Sequence, residues 1–423
     1  MSRLMERHNY LGPGDPGYDE ARRTLNPALD PRPALVAEAK EAGDVAAAVR
    51  AARELDLALT VQATGHGTHV ACDERVLLLR TSEMTSVTVD PERRTARVGP
   101  GALWSQVIAA AAPYGLAPLA GSHPGVGVTG FTLGGGLGWL SRRYGFAADS
   151  VLRAEIVTSD GRMITADHDQ HADLFWALRG GGGGFGVVTA LEFRLYPVPV
   201  VHAGAATFPV ERAAETLAFY RDWCATAPDE VSTALVLTPT SLTIKAMCAG
   251  PTDPLRPLWA TAITDTMSPM PFGQAAMGGT AARHLDLLPS LPDATIDTLV
   301  SAGQEAIVEV RHWGGALAKP GGPVSHRDTR FSVIVDAQLP GVAEALAPYA
   351  NGGVFLNFLA DTSRTADAYT RDDYNRLIDV KRAYDSADLF RTGHRIRERP
   401  GHRLVATSPA HKCAPRPAVA SDS

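Results

Sequence analysis

The sequence predicts an α+β fold of two domains. Three observations carry that reading. Helix-like and strand-like segments both run along the chain, but they do not alternate regularly enough for a doubly wound parallel sheet. A boundary falls near Pro197 and Pro199, beyond which apolar residues alternate as in antiparallel strands. The 423 residues suffice for two ordinary domains with full hydrophobic cores.

The elements follow in order. Asp44 reads as the N-cap of a helix, VAAAVRAAREL, with apolar contacts at Val45, Val49 and Ala52. LALTVQA is a strand that runs into TGHGTH. VLLLR, SVTVD and TARVG are short strands, the last two joined by a turn at Pro91. LWSQVIAAAAPYG is a helix stopped by Pro113 and Gly115. From Gly115 to Gly138 the chain reads as a glycine-rich loop. VLRAEIVT and RMITA form a hairpin around Ser159, Asp160 and Gly161. HADLFWALR is a helix ended by the run Gly180 to Gly184, and FGVVTALEFRLYPV is a long strand. Beyond the boundary, ERAAETLAFYRDW is a helix. VSTALVLTP, LTIKAMCAG, RFSVIVDAQ and GGVFLNFLAD are strands, and DDYNRLIDVKRAYD is an amphipathic helix. Residues from Pro400 onward, rich in Pro, Ala and Ser, read as a mobile tail.

Composition narrows the function. An apolar fraction of 45% and a charged fraction of 20% are those of a soluble globular protein. A net charge of −6 gives no basic footprint for nucleic acid or for an anionic membrane. There is no apolar run of about 18 residues for a spanning helix, and the first residues lack the apolar core of a secretory signal. Cys72, Cys224, Cys248 and Cys413 are scattered, which points to reduced thiols in a cytoplasmic protein.

Two segments carry chemistry. Gly125 to Gly130 fits GxGxxG, but neither a strand before it nor a helix after it is predicted, so a Rossmann reading is rejected. The surrounding glycines interleave with Val126, Val128, Phe131, Leu133, Leu137 and Trp139. That pattern reads as backbone packed against a ligand, since a linker would be polar. His66 lies in the tight loop Ala63 to His69 just past a strand. His66 and His69, like His168 and His171, have i, i+3 spacing, but no third ligand stands at convincing spacing, so no metal is expected. No GxSxG and no P-loop occurs.

Together, TGHGTH, HPGVGVTGFTLGGGLGWLSRRYGFAADSV, DLFWALRGGGGGFGVVTALEFRLYPV and YNRLIDVKRAYD resemble, in order and spacing, the berberine-bridge-enzyme-like branch of the vanillyl-alcohol-oxidase flavoproteins. The resemblance covers nearly the whole chain. It implies a PCMH-type FAD-binding domain of two α+β subdomains over residues 1–199. A substrate-binding domain, an antiparallel sheet backed by helices, follows over 200–350. Residues 351–399 return to the FAD domain, and 400–423 are the tail.

The resemblance also implies FAD bound covalently through its 8α-methyl to His66. Neutral imidazole, the form that attacks, exists at physiological pH. The implied cradle comprises Ala63, Thr64, Gly65, Gly67, Thr68 and His69, then Gly121, Ser122, His123, Val126, Gly127, Val128, Gly130, Phe131, Gly134, Gly135, Gly138 and Trp139. Gly186, Val187, Val188 and Tyr374 complete it. His123 stands where bicovalent members have a cysteine, so a single link is implied. Val126 stands where oxidases keep a small residue, which implies dioxygen as acceptor. The positions of a tyrosine base are Leu137, Phe355 and Phe358 here. Without phenols, amine oxidation becomes more attractive, or His312 or His326 serves as base. Phe355 and Phe358 are expected to line the pocket from a bent strand. The implied activity is oxidation of a C–N or C–O bond in a small molecule. A flavin dehydrogenase with another acceptor and a non-redox cyclase or isomerase stay open, and no oligomeric state is implied.

Overall fold

Three large sheets, beside a two-stranded pair of Leu116–Ala117 with Tyr196–Pro197, organise the chain in a computed structural model that describes residues 10–275, 277–391 and 393–398. The first sheet is parallel, in the order Leu35–Glu38, Val76–Arg80, Ala58–Gln62. Its central strand reads VLLLR and is buried up to Arg80, as a parallel strand covered on both faces must be. Helix Ala42–Glu54 packs on it through Val45, Val49 and Ala52. This helix starts a turn earlier than expected. Asp44 is not the N-cap. It lies inside the first turn, and its carboxylate reaches back to accept the Lys40 and Glu41 N–H groups at 2.9 and 3.1 Å.

The second sheet is antiparallel, in the order Val87–Asp90, Thr95–Val98, Val187–Arg194, Val151–Val157, Met163–Asp167. It holds the predicted hairpin and the long strand, and the helices Trp104–Ala111 and Ala172–Leu178 join its core.

The third sheet has eight antiparallel strands, all between Val200 and Val335. Its centre is Val231–Thr238, flanked by Ser241–Cys248 and Val308–His312. Strand alternation divides its two faces. Leu235, Leu237, Ile244, Val308, Val310 and Val333 pack with the helices Ala213–Cys224 and Asp293–Ala302. Ala203, Ala234, Met247 and Ile334 point the other way, into the core shared with the second sheet. The predicted α+β class is thus the observed one, with parallel pairing confined to three strands.

Two expectations about local structure are corrected. GGVFLNFLAD is not a strand. Its centre is one turn of 3₁₀ helix, Leu356–Phe358, in which the Phe358 N–H bonds the Phe355 carbonyl at 2.9 Å. Asn357 explains the departure. Its amide donates to the Phe131 carbonyl and accepts from the Gly136 N–H, both at 2.9 Å, so a side chain takes the place of a ladder. The stretch Gly115 to Gly138 is likewise not all loop. It contains the helix Val128–Leu133, which starts inside GxGxxG. The strand before it, Leu116–Ala117, lies well upstream, so the strand–turn–helix context is still missing. The expected tail over 400–423, with Cys413, lies outside the described residues. Cys72, Cys224 and Cys248 are buried free thiols. Among the described residues no helix is long and apolar enough to cross a membrane, and no cluster of three or more metal-ligating side chains occurs.

Candidate functional site

The parallel strand Ala58–Gln62 ends at the loop that carries His66. Gly65 turns the loop with φ +78°, a left-handed conformation that suits glycine. The turn leaves His66 and Gly67 exposed. The glycine segment lies against this loop. A side chain at Gly127 would meet the Thr64 Oγ1 and Cγ2 atoms at 2.8 Å, so the two backbones can approach only because Gly127 has none. The segment is pinned from behind: Trp104 N–H bonds the Val126 carbonyl, Ser105 N–H bonds the Pro124 carbonyl, and Val128 N–H bonds the Ala102 carbonyl. His123 faces His66 closely enough to act on its charge. Partial desolvation of the ring, and then His123, hold the His66 pKa below the usual histidine value. Its imidazole is therefore neutral and nucleophilic at pH 7.

The residues here fit a flavin dinucleotide. Gly67 and Gly130 open onto empty space where any other residue would place a side chain. The buried Thr129 hydroxyl, next to Gly130 in the chain, has no partner among the described residues. The remaining glycines do a different job. A Cβ at Gly121 would strike Phe131 at 2.8 Å, at Gly134 Asn357 at 2.9 Å, and at Gly138 the Ala120 carbonyl at 2.1 Å. At Gly135 it would press on Phe355 and Val324 at 3.0 Å. At these positions the missing side chain lets protein pack on protein.

Trp139 stands at the end of the glycine segment. Its indole N–H donates to Ser122 Oγ at 3.1 Å, and the Arg311 guanidinium lies 5.1 Å from its ring. Arg311 comes from the strand Val308–His312 of the third sheet, so this contact joins the two halves of the molecule. Glu309, two residues earlier on the same face, holds Arg311 from Oε1 at 2.7 Å. Its Oε2 accepts the Thr280 N–H at 3.1 Å. Sequence reading passed over both, although a charged pair at i, i+2 in an apolar strand was a usable signal.

The expected bases fare otherwise. His312 shares the face of Val308 and Val310, stacks on Phe331 and lies edge-on to Trp223 in the helix layer. Its Nε2 accepts from Arg142 at 3.0 Å, and burial with the nearby Arg142 and Arg330 charges pushes its pKa down to about 2. A base that weak does not take a substrate proton at neutral pH. His326 is a turn residue with φ +56° whose Nε2 donates to the Asp367 carbonyl at 2.9 Å, with Gly353 against its ring face. Both have a ring nitrogen engaged by the fold. His312→Gln is expected to keep activity, because glutamine still accepts from Arg142. It also flattens the loss of stability below about pH 6.5. There the unfolded chain binds a proton that the buried imidazole refuses, so stability of the wild type falls as pH falls. Melting curves from pH 7 to 5 check this.

Phe355 carries no reactive group and is buried between Phe146, Trp313 and Phe358 at ring distances of 5.5, 5.6 and 5.3 Å. Phe358 is half-buried, and the 3₁₀ turn places i and i+3 side by side without the bend expected of a strand. Val126 is half-buried beside His123, while Leu137 is buried. Tyr374 spends its hydroxyl on the main chain of Arg397, donating at 3.0 Å and accepting at 3.2 Å. Gly186 has φ +155°, where a Cβ would strike Ile156 at 2.7 Å, and Val187 and Val188 are core residues.

Residues 33–167 match the family described as FAD binding domain. Over 188 residues the chain is 38% identical to (R)-6-hydroxynicotine oxidase of Paenarthrobacter nicotinovorans, which covers 44% of this chain and 41% of that protein. The chain thus spans about half or less of the first curated relatives, 41% and 51% of their lengths. At the level of structure, 6-hydroxy-D-nicotine oxidase from Arthrobacter nicotinovorans superposes with a TM-score of 0.82 at 26% identity, over 92% of this chain and 98% of that one. Glucooligosaccharide oxidase from Acremonium strictum, described with a 6-S-cysteinyl, 8α-N1-histidyl FAD, gives 0.80 at 22% identity over 92% and 97%. Berberine bridge enzyme, as its C166A variant, gives 0.80 at 19% identity over 93% and 99%.

Proposed function

We infer, for a chain that carries an FAD-binding domain in the fold of berberine bridge enzyme, that it is an oxidase holding its flavin covalently on His66. The substrate is a small organic molecule with an oxidisable C–O or C–N bond, and dioxygen is the acceptor. One observation carries the reading. A histidine just past a parallel strand, its pKa held below the usual value by partial desolvation and by His123, stands in a loop that the glycine segment approaches closely at Thr64 and Gly127. Names of relatives at 38% and 26% identity, both oxidases, lend the direction of the chemistry.

When bound, FAD supplies the two-electron acceptor and the site of its reoxidation by dioxygen. The chain supplies the rest. His66 fixes the cofactor in place, and Thr129 offers an unused hydroxyl beside it. Trp139 and the half-buried Phe358 shape an apolar wall. Glu309 holds Arg311 extended toward Trp139. No phenol stands at Leu137, Phe355 or Phe358, so none of these three positions supplies a base.

Intact mass and absorbance of the acid-denatured protein test this directly. The expected result is a mass excess of one FAD and a flavin spectrum that stays with the polypeptide. Unmodified mass and a colourless pellet sink the covalent reading. Peroxide release under air on a substrate that bleaches the flavin tests the oxidase part.

A further inference from the structure

The face of the third sheet that looks toward the flavin half carries two cations on one rung. Lys245 pairs with Ala234, and Ala234 pairs with Arg311, so a single methyl stands between two long basic side chains. Both tips converge on one dipeptide. Lys245 Nζ lies 3.7 Å from the Cβ position of Gly278, and Arg311 Nη2 lies 3.9 Å from that of Gly279. Neither glycine has a side chain to fill the space. Ser122 closes the group, 3.7 Å from the same point at Gly279. Its Oγ already accepts from Trp139, which leaves its O–H free to donate.

The charges do not cancel. Glu309 is the partner of Arg311, which contacts it through Nε and Nη2 at 3.0 and 2.7 Å. Arg311 Nη1 has no partner among the described residues, although the residue is only 7% exposed. Lys245 is half-buried and has neither a carboxylate nor a hydrogen-bond partner among the described residues. Two cations and one carboxylate leave a net positive charge in a partly desolvated recess, which calls for an anion from outside the chain.

We propose that the substrate presents a carboxylate, or an oxyanion of similar shape, to Lys245 and Arg311, with the Ser122 hydroxyl as a third donor and its organic body along Trp139. This rests on the flavin reading above and names the substrate class of that same site. It turns the choice of donor away from simple ammonium-bearing amines, which this face repels, and toward acids. Planar bidentate capture suits the Arg311 fork, and the ammonium of Lys245 adds a point charge.

The test is calorimetric binding to the purified holoenzyme of matched acid and amide pairs: benzoate and benzamide, phenylacetate and phenylacetamide, lactate and lactamide. At least one acid is expected to bind about ten-fold or more tightly than its amide. Lys245→Met is expected to weaken that acid by about ten- to hundred-fold, as loss of a charge-assisted hydrogen bond does. The amide is unmoved, and Lys245→Arg restores the acid. Unchanged melting and flavin content show that the variant is folded. Amides binding as well as acids, no acid binding, or an acid indifferent to Lys245→Met would each overturn the proposal. A colourless protein would instead overturn the flavin reading, so the two failures are told apart.

Discussion

His66→Ala yields a protein whose flavin leaves with the acid supernatant, while its melting curve stays within about 0.5 kcal/mol of the wild type. The two halves of this result have separate causes. His66 is exposed and lies in a loop turned by Gly65, so its side chain does little for the fold. The link needs the imidazole lone pair, and no neighbour replaces it. His123 and His69 stand close, but His123 Nδ1 accepts the Gly125 N–H at 3.1 Å, which fixes that ring to its own loop. His69 lies edge-on to His394 with ring centres 5.9 Å apart. The cradle of Gly67 and Gly130 survives the substitution, so the variant is expected to take up FAD reversibly. Intact mass, absorbance before and after acid precipitation, and a titration with FAD check the three parts. Colour that still coprecipitates would move the attachment to another residue.

Much of this site could be read from residue order. His66 past a strand and the glycines near it were legible because turn and close-approach chemistry is local. What the glycines approach was not legible. Gly130 faces open space, while Gly138 faces the Ala120 carbonyl, yet both are simply glycine in a row of glycines. The cause lies in residues distant along the chain, such as Asn357, which crosses from the C-terminal segment to Phe131 and Gly136. The basic rung shows the same limit. Lys245 and Arg311 come from LTIKAMCAG and VEVRH, and only the pairing of both strands with Val231–Thr238 brings them into line. His312 was a different kind of error. In VEVRH the apolar residues Val308 and Val310 already mark the helix-facing side, and His312 shares their parity. Its titration range drew attention, but the strand period decides which way it points.

Arg142→Met is expected to cost about 3–5 kcal/mol of stability, among the largest losses from a single change outside the aromatic core. Arg142 lies on the short helix Ser141–Tyr144 beside the glycine segment, but its guanidinium ends inside the other half of the molecule. Its Nε donates to the Val231 carbonyl at 2.8 Å and its Nη2 to Ala227 at 3.0 Å. Its Nη1 donates to the Trp313 carbonyl and to His312 Nε2. Asp229, at 3.8 Å, is the only carboxylate near it among the described residues, and burial pulls its pKa down despite that charge. Methionine leaves the Val231, Trp313, Ala227 and Pro228 carbonyls and an imidazole nitrogen without this donor, and each buried one carries its own desolvation cost. Lysine keeps the charge without the fork and recovers only part. The strand that starts at Val231 and the residue Trp313 just past the strand Val308–His312, which Arg142 grips, flank the position that sets Arg311 against Trp139. Loss of the grip should therefore raise the KM for an acid substrate before it touches the flavin link. Urea unfolding and intact mass separate the outcomes: Arg142→Met lowers stability and keeps the covalent FAD, the reverse of His66→Ala. A variant that melts like the wild type would show that the halves are held together elsewhere.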